Sequence, residues 1–305
     1  MGPLPDDIQL FERGWLSSNN ILLLDDESGD AILIDTGYGS HADQTLALVE
    51  QALTGRRLRS IVNTHLHSDH CGGNALLSAR HHAPIYVPCA DYPAARDWDP
   101  QRLSFQVTGQ RCERFMPHGA LEPGDTLCHG RRRWEVIAAP GHDPHALMFF
   151  DAQDGLLISA DALWENGFGV VFPELVGEPG FDDVRATLGL IRRLDARRVL
   201  PGHGAIFDDV DAAIDRALAK LAAFEADPIR HAWHAAKVLV KFHLLEVRRQ
   251  TWPDLLAWLD ATPYLRLLHQ RYFSEQAWSA WQVSVVEALC TSGVLRRDGQ
   301  TIVDV

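Results

Sequence analysis

The sequence predicts an α/β fold in which two β-rich halves are covered by helices and followed by a small helical domain. Three observations predict it: short apolar runs typical of buried strands, amphipathic stretches between them, and a change of pattern at Asp227-Pro228. A chain of 305 residues suits one large or two smaller domains. We therefore expect a first domain at residues 1–227 and a C-terminal domain at 228–305.

The predicted elements follow one another in the order that a layered fold requires. Helical periodicity is clearest at 41–53, where Leu46, Val49 and Ala52 share one face. Arg131-Arg132-Arg133 is interpreted as the solvated tip of a hairpin. Further helices are expected at 183–194 and 208–226, and strands at 21–24, 31–35, 60–64, 85–88, 134–138, 147–151, 156–161 and 198–201.

Two longer segments show no regular pattern. One covers residues 88–120, and the other covers 164–181. In the second, Trp164, Phe168 and Phe172 are spaced by glycines, which is typical of an apolar wall over a substrate. An ordinary packed loop is the alternative reading of the same residues.

The C-terminal domain is predicted to contain three helices and a hairpin. Asp298-Gly299 lies between alternating apolar runs in 293–303, the pattern of a tight β-hairpin turn. Helix, helix, helix and hairpin is the outline of a winged-helix-like module. The helices are expected at 232–249, directly after Thr251-Trp252-Pro253, and at 275–290.

The charge balance is acidic and uneven. The chain has 28 Lys and Arg against 41 Asp and Glu, a net charge of −13. Residues 228–305 have nine basic and seven acidic side chains, so the excess of acidic groups lies in the first domain. An acidic domain repels polyanions at long range, which argues against nucleic acid as a partner.

The sequence also predicts where in the cell the protein is located. Apolar runs are far shorter than a membrane span, and the first residues have neither the basic nor the apolar region of a secretory signal. The five cysteines form no CxxC pair, which indicates reduced thiols. We therefore expect a cytoplasmic protein with no membrane partner.

Three histidines and an aspartate fall within six residues, directly after a predicted strand. They are His65, His67, Asp69 and His70. Imidazole nitrogens and carboxylate oxygens are ligands of zinc and similar divalent ions. A loop can turn His65 and His67 to one side and Asp69 and His70 to another, so the segment can serve two ions. A surface loop that binds nothing is the alternative.

Three further candidate ligands lie downstream at the ends of predicted strands. His142 and His203 each follow a Pro-Gly pair, and Asp161 ends an apolar run. Loops at one edge of a sheet commonly form the active sites of layered α/β folds. Each residue alone would more often be structural, but together and in this order they indicate a metal pair.

This ordered set resembles the metallo-β-lactamase superfamily over about residues 8–225. The superfamily's aspartate after an early strand matches Asp35, and its HxHxDH signature matches residues 65–70. His142, Asp161 and His203 match the later elements. The resemblance implies a four-layer αββα sandwich, with metal ions at one edge between the sheets.

The resemblance also implies a ligand set. Asp35 would orient a ligand rather than bind metal, and Asp69 and Asp161 would be the catalytic carboxylates. Zinc is expected at such a His/Asp site, with iron or manganese as alternatives. One ion would take His65, His67 and His142, the other would take Asp69, His70 and His203, and Asp161 would bridge the two.

The resemblance to this superfamily also implies that the protein is a metal-dependent hydrolase. Two divalent ions about 3.5–4 Å apart bridge a water and lower its pKa, and the resulting hydroxide attacks the substrate. We expect a small-molecule ester, thioester or lactone, because glyoxalase II-like and other small-ester hydrolases keep all seven ligands. The superfamily's β-lactamases generally lack a match to Asp161, and residues 162–181 lack the tyrosine of quorum-signal lactonases.

The alternative is a metal-dependent endoribonuclease or a nucleic-acid-binding protein that uses the C-terminal domain. That domain is similar to the tail of the lactamase-beta-like endoribonuclease group, and His145 would be a phosphate contact. The net charge of +2 on residues 228–305 instead favours a tail that packs on the catalytic domain, closes its cleft or mediates a homodimer.

Overall fold

A computed structural model describes residues 2–99 and 101–305. The chain divides into two compact units. The first unit contains residues 2–99 together with Cys112–Ala222. The second unit contains residues 101–111 together with Ala223–Val305. The domain boundary at 227 stays a prediction, which limited proteolysis would test.

The first unit contains a six-stranded sheet whose strands follow the order of the chain. Its first three strands are antiparallel neighbours, and the pairs that follow are parallel. A parallel pair needs a crossover, and helices supply it. The strands are β1 (Ile8–Phe11), β2 (Asn20–Asp25), β3 (Asp30–Ile34), β4 (Arg57–Val62), β5 (Ile85–Pro88) and β6 (Gly119–Leu121).

A five-stranded sheet forms the other half of this unit. Its spatial order is the reverse of the chain order, with three antiparallel pairs and one parallel pair at the end. The strands are β7 (Thr126–His129), β8 (Arg132–Ala138), β9 (Leu147–Asp151), β10 (Leu156–Ala160) and β11 (Arg198–Pro201).

The two sheets face each other across one apolar core. Ile21, Ile32 and Val62 of the first sheet belong to the same buried cluster as Trp134 and Phe149 of the second. Helices complete the layers, so the predicted four-layer αββα fold is confirmed. They are α1 (Ala42–Leu53), α2 (Ser68–Cys71), α3 (Asn74–His81), α4 (Tyr92–Asp97), α5 (Phe172–Val176), α6 (Gly180–Leu194) and α7 (Val210–Ala226), which runs on into the second unit.

The hairpin between β7 and β8 corrects one sequence interpretation. Arg131 is exposed at the turn, but the side chain of Arg132 is only 3% exposed. Its guanidinium donates to the carboxylates of Asp7, Asp151 and Asp154. The prediction of a solvated tip was therefore wrong for Arg132, because carboxylates distant in sequence neutralise its charge.

The C-terminal residues form the predicted helices and hairpin, with one additional helix. A three-stranded sheet in the order β12-β14-β13 joins them, as in a winged-helix-like module. Among the described residues, no helix combines the length and apolar character needed to cross a bilayer. The elements are α8 (Pro228–Val247), β12 (Arg249–Thr251), α9 (Trp252–Ala261), α10 (Pro263–Tyr272), α11 (Trp278–Thr291), β13 (Leu295–Asp298) and β14 (Thr301–Asp304).

Candidate metal centre

The predicted ligands lie on four loops of the first unit. His65 and His67 follow β4, and Asp69 and His70 lie in the short helix α2. The remaining three leave the second sheet. His142 lies between β8 and β9, Asp161 directly follows β10, and His203 follows the neighbouring parallel strand β11.

The first cluster contains three imidazoles. Nδ1 of His67 lies 2.7 Å from Nε2 of His142 and 3.1 Å from Nε2 of His65. Nδ1 of His142 lies 2.6 Å from the carbonyl oxygen of Val170, which can only accept, so this nitrogen carries the proton. The Nε2 lone pair of His142 therefore points at the other two rings, as a metal ligand requires.

The second cluster contains two carboxylates and two imidazoles. Nε2 of His203 lies 3.0 Å from Oδ2 of Asp69, and Nε2 of His70 lies 3.4 Å from Oδ1 of Asp161. The candidate ligand atoms of all four residues lie within 4.8 Å of one another. Four such donors in a small volume match the ligand number that divalent metal sites use.

Asp161 connects the two clusters. Its Oδ1 lies beside His70 and 3.9 Å from Nε2 of His203, whereas its Oδ2 lies 3.3 Å from Nε2 of His142. One carboxylate therefore presents an oxygen to each cluster. The indole N–H of Trp164 also donates to Oδ1 at 3.2 Å, which fixes the carboxylate in this orientation.

Asp35 lies behind the clusters and holds His70. Its Oδ2 accepts from Nδ1 of His70 at 2.7 Å. The backbone N–H and the hydroxyl of Thr64 donate to the same carboxylate. A carboxylate on the far nitrogen fixes the ring orientation and leaves Nε2 facing the site. Asp35 has φ of 57°, a strained conformation for a non-glycine residue.

The electrostatics of the first cluster suit a cation. Burial, and then the neighbouring histidines, lower the pKa of His65 well below its usual value. Burial and the nearby His67 likewise lower the pKa of His142 to about 4. Both imidazoles are therefore neutral near pH 7, and neutral imidazole is the form that binds metal.

The second cluster concentrates negative charge. Burial opposes ionisation of Asp161, but the nearby His70 and His203 lower the pKa of this carboxyl well below its usual value. Burial also opposes a charge on His70, yet Asp161 and Asp35 raise the pKa of His70 well above normal. The carboxylates thus create a place for positive charge, which a proton or a divalent ion can occupy.

Local backbone features bring these ligands together. Gly202 lies so close to Asp161 that a Cβ on it would be 2.3 Å from Oδ1 of the carboxylate. A Cβ on Gly169 would lie 2.4 Å from Nδ1 of His142. Ala160 has φ of 47° at the irregular end of β10, which turns the following residue out of the strand. The site therefore requires glycine at both positions.

Aromatic rings surround the clusters. Phe172 lies 5.4 Å from the ring of His67 and 5.6 Å from that of His142, measured between centroids. Trp164 lies 5.4 Å from His203. Phe168 is only 1% exposed, so its predicted place in a substrate wall was wrong. The sequence interpretation also missed Trp15, whose ring stacks against His203 at 5.5 Å.

A third polar group lies beside the first cluster. Nδ1 of His145 lies 2.7 Å from Oδ1 of Asp91, and the backbone N–H of His145 donates to Asp143. Burial, and then Asp91, raise the pKa of Asp143 to about 6. Because His145 faces two carboxylates, it is poorly placed to act as the phosphate contact that the sequence suggested.

Comparison with known proteins identifies the family that the chain matches. The family model described as the metallo-beta-lactamase superfamily matches residues 13–203. A hydroxyacylglutathione hydrolase of Synechococcus sp. (strain JA-3-3Ab) is 29% identical over 209 residues, which cover 68% of this chain and 72% of that protein. Three further proteins with that name are 27–31% identical and are matched over 57–60% of their own length.

Solved structures show the same fold. The metallo-beta-lactamase family protein TTHA1429 from Thermus thermophilus is 21% identical, with a TM-score of 0.60 over 99% of this chain and 100% of that chain. The protein TTHA1623, solved in a di-iron-bound form, is 26% identical, with a TM-score of 0.56 over 68% of this chain and 98% of its own.

The chain belongs to the metallo-beta-lactamase superfamily. The predicted family and fold class are therefore confirmed. Within that superfamily the protein is a metal-dependent hydrolase. The fold implies divalent metal ions, and the two His/Asp clusters are the candidate places for them.

Proposed function

We propose that the protein is a dinuclear metal-dependent hydrolase that acts on a small ester, thioester or lactone. The carboxylate of Asp161 supports this most directly, because it offers one oxygen to each cluster. His65, His67 and His142 would hold one ion, Asp69, His70 and His203 would hold the other, and Asp161 would bridge them.

The donor set suits zinc, which accepts imidazole nitrogen and carboxylate oxygen in tetrahedral sites. Iron is the principal alternative, because TTHA1623 was solved in a di-iron-bound form. When bound, two such ions would supply Lewis acidity and lower the pKa of water at the site.

The residues around the clusters would keep the site organised. Asp35 holds the ring of His70, and the carbonyl of Val170 holds the ring of His142. The indole N–H of Trp164 holds Asp161. Substrate-positioning groups that are already rigid reduce the entropy lost on reaching a reactive geometry. Asp69 and Asp161 remain the proposed catalytic carboxylates.

The substrate class follows from the relatives and from the wall of the site. Their name describes hydrolysis of a thioester, hydroxyacylglutathione. Residues 164–181 contain no lysine or arginine, and Trp164 and Phe172 contribute apolar surface beside the ligands. Such a wall favours a neutral acyl compound over a polyanion. A homodimer and a cytoplasmic location stay predictions.

Metal analysis of the purified protein and a substrate panel test the proposal. We expect about two equivalents of zinc or iron per chain, and hydrolysis of a thioester, ester or lactone. A stoichiometry of one or less after metal reconstitution would refute the dinuclear site. Cleavage of RNA or phosphodiesters alone, together with retention on heparin at moderate salt, would support the endoribonuclease alternative instead.

A further inference from the structure

Trp15 is an exposed aromatic residue beside the candidate metal centre. The residue is 59% exposed, although tryptophan is among the residues that gain most from burial. One face of its ring stacks on His203 at 5.5 Å with an interplanar angle of 12°. The centroid of its ring also lies 5.5 Å from that of Trp164, in edge-to-face geometry. A largely exposed indole therefore lies against a candidate ligand.

The loop that carries Trp15 is fixed to the loops that carry the ligands. The backbone N–H of Ser18 donates to the carbonyl of Asp69 at 2.9 Å. The backbone N–H of Asn19 donates to the carbonyl of Gly202 at 2.7 Å, and its side-chain amide donates to the carbonyls of Pro201 and Gly204. Ser18 and Asn19 are buried, so Trp15 is held in a defined position.

Two cations near Trp15 and Trp164 bond to neutral groups of the protein. The guanidinium of Arg13, two residues before Trp15, donates to the neutral side chains of Asn20, Thr45 and Gln44. Lys220 lies beneath Trp164, and its ammonium group donates to the carbonyl of Phe168. The exposed indole, by contrast, offers a flat apolar surface to a substrate.

We infer that Trp15 selects substrates that carry an aromatic or other flat apolar group beside the Asp69–His70–His203 cluster. This inference rests on the proposed function and narrows its substrate class. The free part of the indole would cover the apolar group, while the reacting carbonyl lies at the metal centre. Aromatic pairs in offset or edge geometry bind more strongly than their buried area alone predicts.

Four thioesters of matched reactivity test the inference. S-ethyl ethanethioate and S-(2-phenylethyl) ethanethioate differ in the thiol part. S-ethyl propanethioate and S-ethyl 3-phenylpropanethioate differ in the acyl part. Saturated spacers keep the intrinsic reactivity within each pair similar. In at least one of the two pairs, Trp15→Ala should lower kcat/KM for the thioester with the phenyl group about tenfold more than for the thioester without it. Most of this loss should appear in KM.

Control variants separate recognition from damage. Trp15→Phe keeps a ring and should recover most of the phenyl preference. Met116→Ala removes another exposed apolar side chain of the same unit and should change no substrate ratio. Metal content of each variant should equal that of the wild type, because Trp15 is not among the proposed ligands.

Two results would overturn the inference while leaving the proposed function intact. One is an equal loss on all four thioesters in Trp15→Ala, with reduced metal content or altered sedimentation, which would assign Trp15 a structural role or a contact between copies. The other is unchanged kinetics on every substrate. A wild-type protein that hydrolyses no ester, thioester or lactone would refute the proposed function itself, and the inference with it.

Discussion

At the residue scale, the site depends on single side chains that each serve two neighbours. Asp161 faces both clusters, and Asp35 accepts from His70 and from Thr64. Removing one such group leaves buried partners without compensation, which costs more than the lost contact alone. Substitutions at these positions therefore test the chemistry more sharply than substitutions of exposed residues.

Asp161→Ala should reduce turnover by more than about 100-fold, because the proposed bridge between the two ions would be lost. Circular dichroism should show a folded protein, and elemental analysis should show less metal. Asp43→Ala, which removes an exposed aspartate on α1, is the matched control and should retain activity. A folded Asp161→Ala protein with full metal content and normal turnover would contradict the proposal.

Lys220 gives a pH-dependent prediction away from the proposed ligands. Burial lowers the pKa of this ammonium group to about 8 from its usual value of 10.5. Between these values the unfolded chain binds more protons than the folded one, so the folded state gains stability as pH rises. Relative to Lys220→Met, the wild type should gain melting temperature between pH 8 and 10.5. A constant difference across that window would contradict the burial of this charge.

At the element scale, the segment after β10 supports two of the proposed ligands and places an aromatic residue where we propose that substrate binds. Its first residues hold Asp161 and His142 through Trp164 and Val170. Its short helix α5 then begins at Phe172, beside two histidines. Phe168 lies in the core instead, with the ammonium group of Lys220 4.8 Å from its ring centre.

Phe172→Ala and Phe168→Ala should therefore give different phenotypes. Phe172→Ala should raise KM or alter preference across the ester and thioester panel, with metal content and stability close to wild type. Phe168→Ala should destabilise the protein by about 3–5 kcal/mol, because it empties a buried site. Denaturant unfolding and steady-state kinetics distinguish the two. Equal effects of both variants on kinetics would contradict the separation.

The β7–β8 hairpin is anchored by the buried guanidinium of Arg132. Arg132→Met should cost about 3–5 kcal/mol of stability, because the buried carboxylate of Asp151 loses its charged partner and keeps only the backbone N–H of Gln153. Arg133→Met is the control, since Arg133 is exposed in the same hairpin. Chemical denaturation measures both. A loss of less than about 1 kcal/mol for Arg132→Met would show that water compensates Asp151.

At the scale of the whole molecule, three carboxylates gathered in the first unit lead us to expect that its stability depends on a bound cation. Asp35, Asp69 and Asp161 converge on one small volume. Metal that binds only the folded state stabilises it, and removal reverses the effect. Chelation should therefore lower the melting temperature, and added zinc or iron should restore it. An unchanged melting temperature after verified metal removal would argue against the proposed ligation.

Much of this fold could be predicted because its strands are short apolar runs with clear ends. The strands at 85–88, 147–151 and 198–201 were predicted with the bounds that the structure shows. The fold class was predicted because the ligand order is distinctive. The site's ligands could be named from the same motif, and their assignment to metal remains a proposal.

Other features depend on contacts that are distant in sequence. The segment 88–120 was predicted to be irregular, yet it contains α4 and β6, whose local patterns are too short to detect. Arg132 is buried only because Asp7 and Asp151 come to it. Trp15 has no motif of its own and becomes informative through the ring of His203.

The two-part second unit has a consequence for synthesis on the ribosome. The carbonyl of Val107 accepts from the backbone N–H of Tyr264, about half the chain later. At cellular translation rates this separation lasts on the order of ten seconds. The 101–111 segment must therefore emerge without its final neighbours and stay soluble until the C-terminal helices arrive. In a protein truncated at residue 227, the 101–111 segment would never gain the contacts that the C-terminal helices provide.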